Sequence, residues 1–372
     1  MILKIKNTTF EITDKVSQKN IEFEEELLKQ KRVLPYLDSA SITNVEISYY
    51  QRCRWLEVCE KEYLLLQGRN EKGEPTSQAA IIFFRPAKLK WFGYASIPYF
   101  GSSATSLDEE QNLLEAVKQI LPTIKNVTRL HIRGWSTKTH ELMNFEAVSR
   151  RAGLKIMDPT YYTRTLMLDL TGTDEEFFKK FTKRTIIKLK TPKRSELFIR
   201  EIKNEEDIPK LQNALGSSFK RTTGNSDSFF EFEPYFKMAK KYPESTHMLC
   251  LSFADSPDEI LAYCMAITHG SLAEMVSIGS VYNEALRKID YTHLMFHDIF
   301  LWAREQGCTH IDFGGITDGS QGDLLAGISK FKRTFTNTEV EIGREMIWDF
   351  KPNKTWVFKK IQSIKNPGAH SI

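Results

Sequence analysis

Residues 290–306 read DYTHLMFHDIFLWAREQ, and Thr309–Gly315 read THIDFGG. In the first segment apolar residues recur about every 3.6 positions, which predicts a core-facing helix; in the second the period falls to about 2, which predicts a strand. The same change of period occurs earlier. Residues 108–121, DEEQNLLEAVKQIL, predict a helix, and Arg129–Trp135, RLHIRGW, the strand after it. The next segments keep the spacing: Arg164–Leu170, RTLMLDL, and Arg344–Phe350, REMIWDF, start 180 residues apart. Three elements repeated at nearly one offset predict two copies of a mixed α/β domain of about 150–180 residues.

Other segments fit this plan. Ala79–Arg85 and Lys90–Ala95 predict strands of the first copy. Leu249–Ala254, Glu259–Thr268 and Leu272–Ser280 predict an antiparallel meander in the second. Asp158-Pro159 favours a turn and sets the boundary there, giving domains 1–158 and 159–351. Residues 174–190 predict one helix, opened by Thr173 with Glu176 at the capping-box spacing, and Lys354–Ile364 a short basic helix.

A chain of 372 residues is long enough to bury two cores. Its 41% apolar and 27% charged residues are those of a globular protein. No apolar run approaches the roughly 20 residues of a membrane span. The opening Met1-Ile-Leu-Lys-Ile-Lys6 alternates like a strand and lacks signal-peptide features, so the expectation is a cytoplasmic protein. The cysteines, Cys53, Cys59, Cys250, Cys264 and Cys308, are odd in number and form no Cys-x-x-Cys pair, which argues against a disulfide framework. His293 and His297 have a spacing that permits two metal ligands, but no cysteine or carboxylate trio accompanies them. No metal is expected.

A net charge of +4 is too mild to signal nucleic-acid binding by itself. Its distribution says more: Lys179–Arg194 holds eight cations and no acid. Lys180, Arg184 and Lys188, spaced i, i+4, i+8, share one face of a continuous helix. Such a face can bind phosphates of a nucleotide, a pantetheine carrier or tRNA. A merely solvated face has the same pattern.

Group transfer to an amine requires loss of an amine proton, stabilisation of a developing oxyanion, and a grip on the donor carrier. Residues 309–335, THIDFGGITDGSQGDLLAGISKFKRTF, hold suitable groups. The strand ends at Gly314-Gly315, where backbone can approach a ligand closely. A loop with Gly319 and Gly322 follows, then a segment carrying Lys330, Phe331, Lys332 and Arg333. A lysine there can stabilise an oxyanion or bind a phosphate; a turn followed by a solvated basic helix would read alike. Arg221, where a helix gives way to a loop, suits bidentate phosphate contact and equally an ordinary surface position.

The order of these motifs resembles the Fem-type (FemABX) aminoacyltransferases. The family's Tyr-Asp-Phe-Gly-Gly-like strand and Phe-Lys-x-Phe-like segment are similar to His310–Gly315 and Phe331-Lys332-Arg333-Thr334-Phe335. Its Phe-x-Gln-x-x-x-Trp element is similar to Tyr50–Trp55, and its Lys-x-x-Arg-x-x-Ile-x-Lys helix to Lys183–Lys190. Pro98-Tyr-Phe-Gly101 takes the place of its Pro-x-Gly-Pro loop without the second proline. The resemblance spans about residues 48–350. It implies an α/β fold of two tandem GNAT-like domains, with residues 352–372 returning to the first. It implies transfer of an amino acid from aminoacyl-tRNA to an amine acceptor, a small molecule or a cell-wall precursor peptide, without a bound cofactor. In that pattern Lys332 is the catalytic lysine and Phe331 its partner. Arg221 matches a cation for the acceptor's diphosphate, and Arg184, Lys188, Gln51, Trp55, Tyr99 and Asp312 are substrate-binding candidates.

Two other readings stand beside this one. N-acylation from acyl-CoA or acyl carrier protein is the first. The acetyltransferase phosphate loop Arg-x-x-Gly-x-Gly would fall on Arg287-Lys-Ile-Asp-Tyr-Thr292, which has neither glycine. A side chain there crowds a pyrophosphate on backbone N–H groups, which counts against CoA. The second is a non-catalytic protein that binds a nucleotide-sugar or peptide.

Overall fold

The computed structural model describes residues 1–33, 48–85, 92–100, 104–136, 139–160, 162–190, 197–224, 230–284, 291–320 and 323–356. Expectations for Lys90, Gly101, Arg287, Gly322 and the chain beyond 356 lie outside them. The chain packs into two units, one from the described parts of Met1–Ser41, Val45–Thr163 and Glu341–Ile372, the other from those of Arg164–Val340.

The first unit is an eight-stranded sheet. Its order is Ile2–Ile5, Thr8–Thr13, Tyr63–Arg69, Pro75–Phe84, Tyr94–Phe100, Arg129–Trp135, Gly343–Asp349, Lys155–Ile156. Neighbours run antiparallel except Tyr94–Phe100 and Arg129–Trp135, which are parallel and joined through the helix Leu107–Ile120. Ser106 opens that helix by accepting from the Glu109 N–H. Asp108, Glu109 and Glu110 lie at its positive end. Leu113, Leu114, Val117 and Ile120 are buried with Ile81, Ile97, Leu130 and Ile132 of the sheet.

The second unit is a seven-stranded sheet. Its order is Glu339–Glu341, Arg164–Asp169, His310–Gly315, Leu272–Ser280, Ala262–His269, Thr246–Phe253, Leu197–Glu201. The predicted meander is present, its middle strand starting at Ala262. Leu272–Ser280 and His310–Gly315 are parallel and joined through the helix Tyr291–Glu305. Phe177, Phe181, Phe296, Phe300, Phe313 and Phe335 fill the core on that side.

The two sheets repeat one plan, with a parallel pair at the same place in each. The first sheet takes a strand from the far end of the chain: Arg129–Trp135 pairs along its whole length with Gly343–Asp349. In the second, His310–Gly315 pairs, with one irregularity, with Arg164–Asp169, the first strand of that unit. The domain limits therefore differ from the expected 158/159 and 351/352: the chain leaves the first unit after Thr163 and re-enters it at Glu341. The reason is edge pairing. The strand beside Arg129–Trp135 comes from beyond position 341, and its ladder carries the chain back into the first sheet.

The single helix expected over 174–190 is two, Asp174–Lys179 and Lys183–Lys190. The Thr173/Glu176 capping box forms as expected. The break falls where Phe181 turns into the core and the Thr182 hydroxyl accepts from the Thr185 N–H at 3.2 Å, starting a new helix. Lys180 folds back onto Asp169 at 2.9 Å and the Thr171 carbonyl at 2.8 Å. It does not extend the Arg184–Lys188 face. Nor are the cations without counter-charge, since Lys179 pairs with Glu175 at 2.7 Å.

Candidate active site

In the second unit the parallel strands pair only at Leu272↔His310, Ala273↔Ile311 and Glu274↔Asp312. Beyond these pairs the strands run on to Ser280 and Gly315 without cross-pairing. The second strand ends in a turn that requires glycine: Gly314 has φ +73°. A loop then leads into the short helix Ala326–Lys332. Ser329, buried, accepts from the Thr317 N–H at 2.9 Å and so ties this helix to the end of the strand.

Lys332 lies at the last position of that helix, half-buried. Its Nζ donates to the Gly315 carbonyl at 2.6 Å. Burial lowers its pKa to about 8, against the opposing pull of the Asp312 carboxylate. An ammonium has three N–H donors. One is spent on Gly315, and among the described residues no other acceptor takes the remaining two. Phe331 faces the other way, its ring 5.3 Å from His293, 5.7 Å from Phe296 and 5.4 Å from Phe335. It anchors the helix to the core. His293, considered above as a metal-spaced residue, is a packing partner there.

Asp312 is 1% exposed, beneath Lys332 and opposite Glu274, itself 6% exposed. Burial first, and then the Glu274 charge, raise its pKa well above the usual carboxylate range. At that depth it lies behind the site. Glu274 is bonded to buried His269 at 2.7 Å.

Arg221 ends the helix Ile208–Thr223 and reaches the end of Leu272–Ser280. Its guanidinium donates to the Ser280 carbonyl at 2.8 Å and hydroxyl at 2.9 Å, and to the Ser217 and Ser218 hydroxyls. Among the described residues no carboxylate forms an ion pair with it. The Tyr291 hydroxyl shares Ser280 at 2.8 Å. Lys332 and Arg221 thus stand at the same end of two diverging strands. Arg184 and Lys188 lie on the helix Lys183–Lys190, beside Ile187, which is 61% exposed. The Thr185 hydroxyl bonds the Thr334 carbonyl at 3.1 Å, so this basic helix adjoins the segment that follows Lys332.

The first-unit candidates form a separate cluster. Gln51 is fully buried. Its amide accepts from the Ala80 N–H at 2.6 Å and donates to the Pro98 carbonyl at 2.6 Å, bridging the strands Pro75–Phe84 and Tyr94–Phe100. In this structure the Gln51 amide is thus tied to backbone on both sides. Gln51→Ala strips both backbone groups of their partner, at about 1–3 kcal/mol each. A lower urea midpoint for the first unit checks this; an unchanged one contradicts it. Tyr99 follows Pro98 with φ +57°, an uncommon conformation for a residue with a side chain, and is 4% exposed. It stacks on Tyr50 at 5.1 Å and lies 5.5 Å from Trp135, with the Arg133 guanidinium 5.4 Å from its ring. Trp55 packs edge-on against Tyr50 at 5.4 Å.

Sequence reading missed Thr165, Glu274, Ser280 and Ser329. Thr165 meets Asp312 from 147 residues away, and no local pattern announces such a pairing. Ser329 alone carried a signal, being the small residue one turn before Lys332.

Residues 177–333 match the model of a family described as an acetyltransferase (GNAT) domain. The whole fold is similar to the crystal structure of FemX, with TM-score 0.67 and 13% identity, over 93% of this chain and 99% of that one. It is also similar to a tandem GNAT protein from the clavulanic acid biosynthesis pathway, with TM-score 0.55 and 8% identity, over 92% and 97%. A third likeness is to the C-terminal domain of a putative lysylphosphatidylglycerol synthetase from Agrobacterium fabrum, with TM-score 0.51 and 11% identity, over 94% and 100%. Among curated protein sequences none matches the chain. Among the described residues no helix is long and apolar enough to cross a membrane, and no group of His, Cys, Asp and Glu is arranged to hold a metal.

Proposed function

We propose that this chain transfers an aminoacyl group from aminoacyl-tRNA to the amine of a small molecule or peptide, in the manner of Fem-type enzymes. The observation that carries the reading is Lys332, held at 2.6 Å on Gly315 with two N–H donors left at the mouth of the strands. The acceptor nitrogen attacks the ester carbonyl carbon, and the C–N bond forms. Lys332 donates to the resulting oxyanion. The C–O bond to the ribose breaks, and the leaving oxygen takes up the proton that the amine gives up. Arg221 suits a phosphate of the acceptor, and Arg184 with Lys188 the backbone of the donor RNA. The glycine-free Arg287–Thr292 favours tRNA over CoA as carrier.

The test is incubation of the purified protein with charged tRNA, acyl-CoA or acyl carrier protein, together with candidate amines, followed by product mass. Product from charged tRNA that disappears after RNase treatment is the expected result. The double variant Arg184→Ala/Lys188→Ala should raise KM for the tRNA donor and leave the acceptor KM unchanged. RNase-insensitive product from acyl-CoA or acyl carrier protein would replace the donor. Ligand binding without product from any donor would replace catalysis by recognition.

A further inference from the structure

The turn that holds Lys332 is itself held from below. Asp312 Oδ1 accepts from the Gly314 N–H at 2.6 Å. The Thr165 hydroxyl touches the same Asp312 oxygen and also lies 2.8 Å from the Gly314 carbonyl. Thr165 comes from the strand Arg164–Asp169, which pairs with His310–Gly315 in the same unit. Asp312 and Thr165 therefore grip both backbone groups of Gly314. The next residue, Gly315, supplies the carbonyl that receives Lys332.

Hydrogen-bond counting adds a constraint. A threonine hydroxyl has a single proton. It faces two oxygens, the Asp312 carboxyl and the Gly314 carbonyl, and cannot donate to both. Both contacts are satisfied only when Asp312 carries a proton, donates to Thr165, and Thr165 donates to Gly314. Burial and Glu274, directly opposite in register, push Asp312 toward that neutral form, against the Lys332 ammonium and the bonds from Thr165 and the Gly314 N–H. The charged or titratable groups facing Asp312 are Glu274, with His269 behind it, and Lys332 above.

We infer that Thr165 and Asp312 are positioning residues for Lys332: their clamp on Gly314 fixes the Gly315 carbonyl, which aims the ammonium at the mouth of the strands. Neither touches a substrate. The inference rests on the assignment of Lys332 in the proposed transfer reaction, but its first readout does not need that reaction. A tether that shifts by about 1 Å misplaces the donor and can cost about 100-fold in rate.

The test compares Thr165→Val, Thr165→Ser, Asp312→Asn and Asp312→Ala in full-length protein labelled with 13C-lysine. The Lys332 Cε resonance is assigned by its absence in Lys332→Met and followed through a pH titration. The expected wild-type midpoint is near 8. Thr165→Val and Asp312→Ala should move it by at least half a pH unit. Thr165→Ser should restore it, and Asp312→Asn, in which no single atom both accepts from the Gly314 N–H and donates to Thr165, should move it as Asp312→Ala does. Turnover should follow the same order, with kcat reduced about 10–100-fold in Thr165→Val at unchanged KM. A folded Thr165→Val or Asp312→Ala protein with a wild-type Lys332 titration overturns the clamp. An altered titration without turnover in any protein leaves the clamp standing and removes the transfer reaction instead.

Discussion

Lys332→Met lowers turnover by about 100- to 1,000-fold or more, the usual effect of removing one oxyanion donor. Methionine matches the stem of lysine in length and keeps its packing, while the ammonium and its bond to Gly315 are lost. Loss of folding does not explain such a result, by the following sign argument. The Lys332 pKa is about 8 in the folded chain and about 10.4 in an unfolded one. Between those values the unfolded chain binds more protons, so wild-type stability rises with pH across that window. Below pH 8 the buried charge costs stability, and methionine lifts that cost. The variant should therefore melt no lower than wild type at neutral pH. Activity that needs the ammonium should fall in wild type as pH rises through about 8, and residual activity in the variant should show no such step. Steady-state kinetics across pH and a melting curve make the check; full activity in Lys332→Met would sink the role of this residue.

Phe300→Ala should destabilise the second unit by about 3–5 kcal/mol. Phe300 is fully buried, with ring centroids of Phe313, Phe335, Phe296, Phe177 and Phe181 at 5.7, 5.8, 6.0, 6.1 and 6.2 Å. Five rings around one cannot all close on the space it leaves. A domain's whole stability is about 5–15 kcal/mol, so the loss is a large fraction of it. Urea unfolding followed by separate probes in each unit should show the second unit melting earlier. A cost below about 1 kcal/mol would mean that this aromatic cluster is not the packing centre of its unit.

Much of the scaffold was legible because its signals are local. Arg129–Trp135 shows as a strand from alternation alone, and the helices Leu107–Ile120 and Tyr291–Glu305 from their apolar stripes. The repeat was readable because its elements keep their spacing. The break at 180–182 was not. Phe177, Phe181 and Leu189 suit one continuous helix, and only their burial against Phe300 and the pull of Asp169 on Lys180 divide it. Gln51 was picked out by its place in an element similar to Phe-x-Gln-x-x-x-Trp, which says nothing of whether its amide meets a substrate or a backbone.

By itself the sequence determined the two mixed α/β units, the glycine turn at Gly314-Gly315 and the lysine that follows it. All depend on residues within a few turns of one another. Only the tertiary structure decided which strand completes each sheet, because strand pairing is set by edges that meet across more than a hundred residues. The pairing of Arg164–Asp169 with His310–Gly315 brings Thr165 onto Asp312 and the grip of both onto Gly314. It sets the Asp312 carboxyl against the Gly314 turn beneath Lys332.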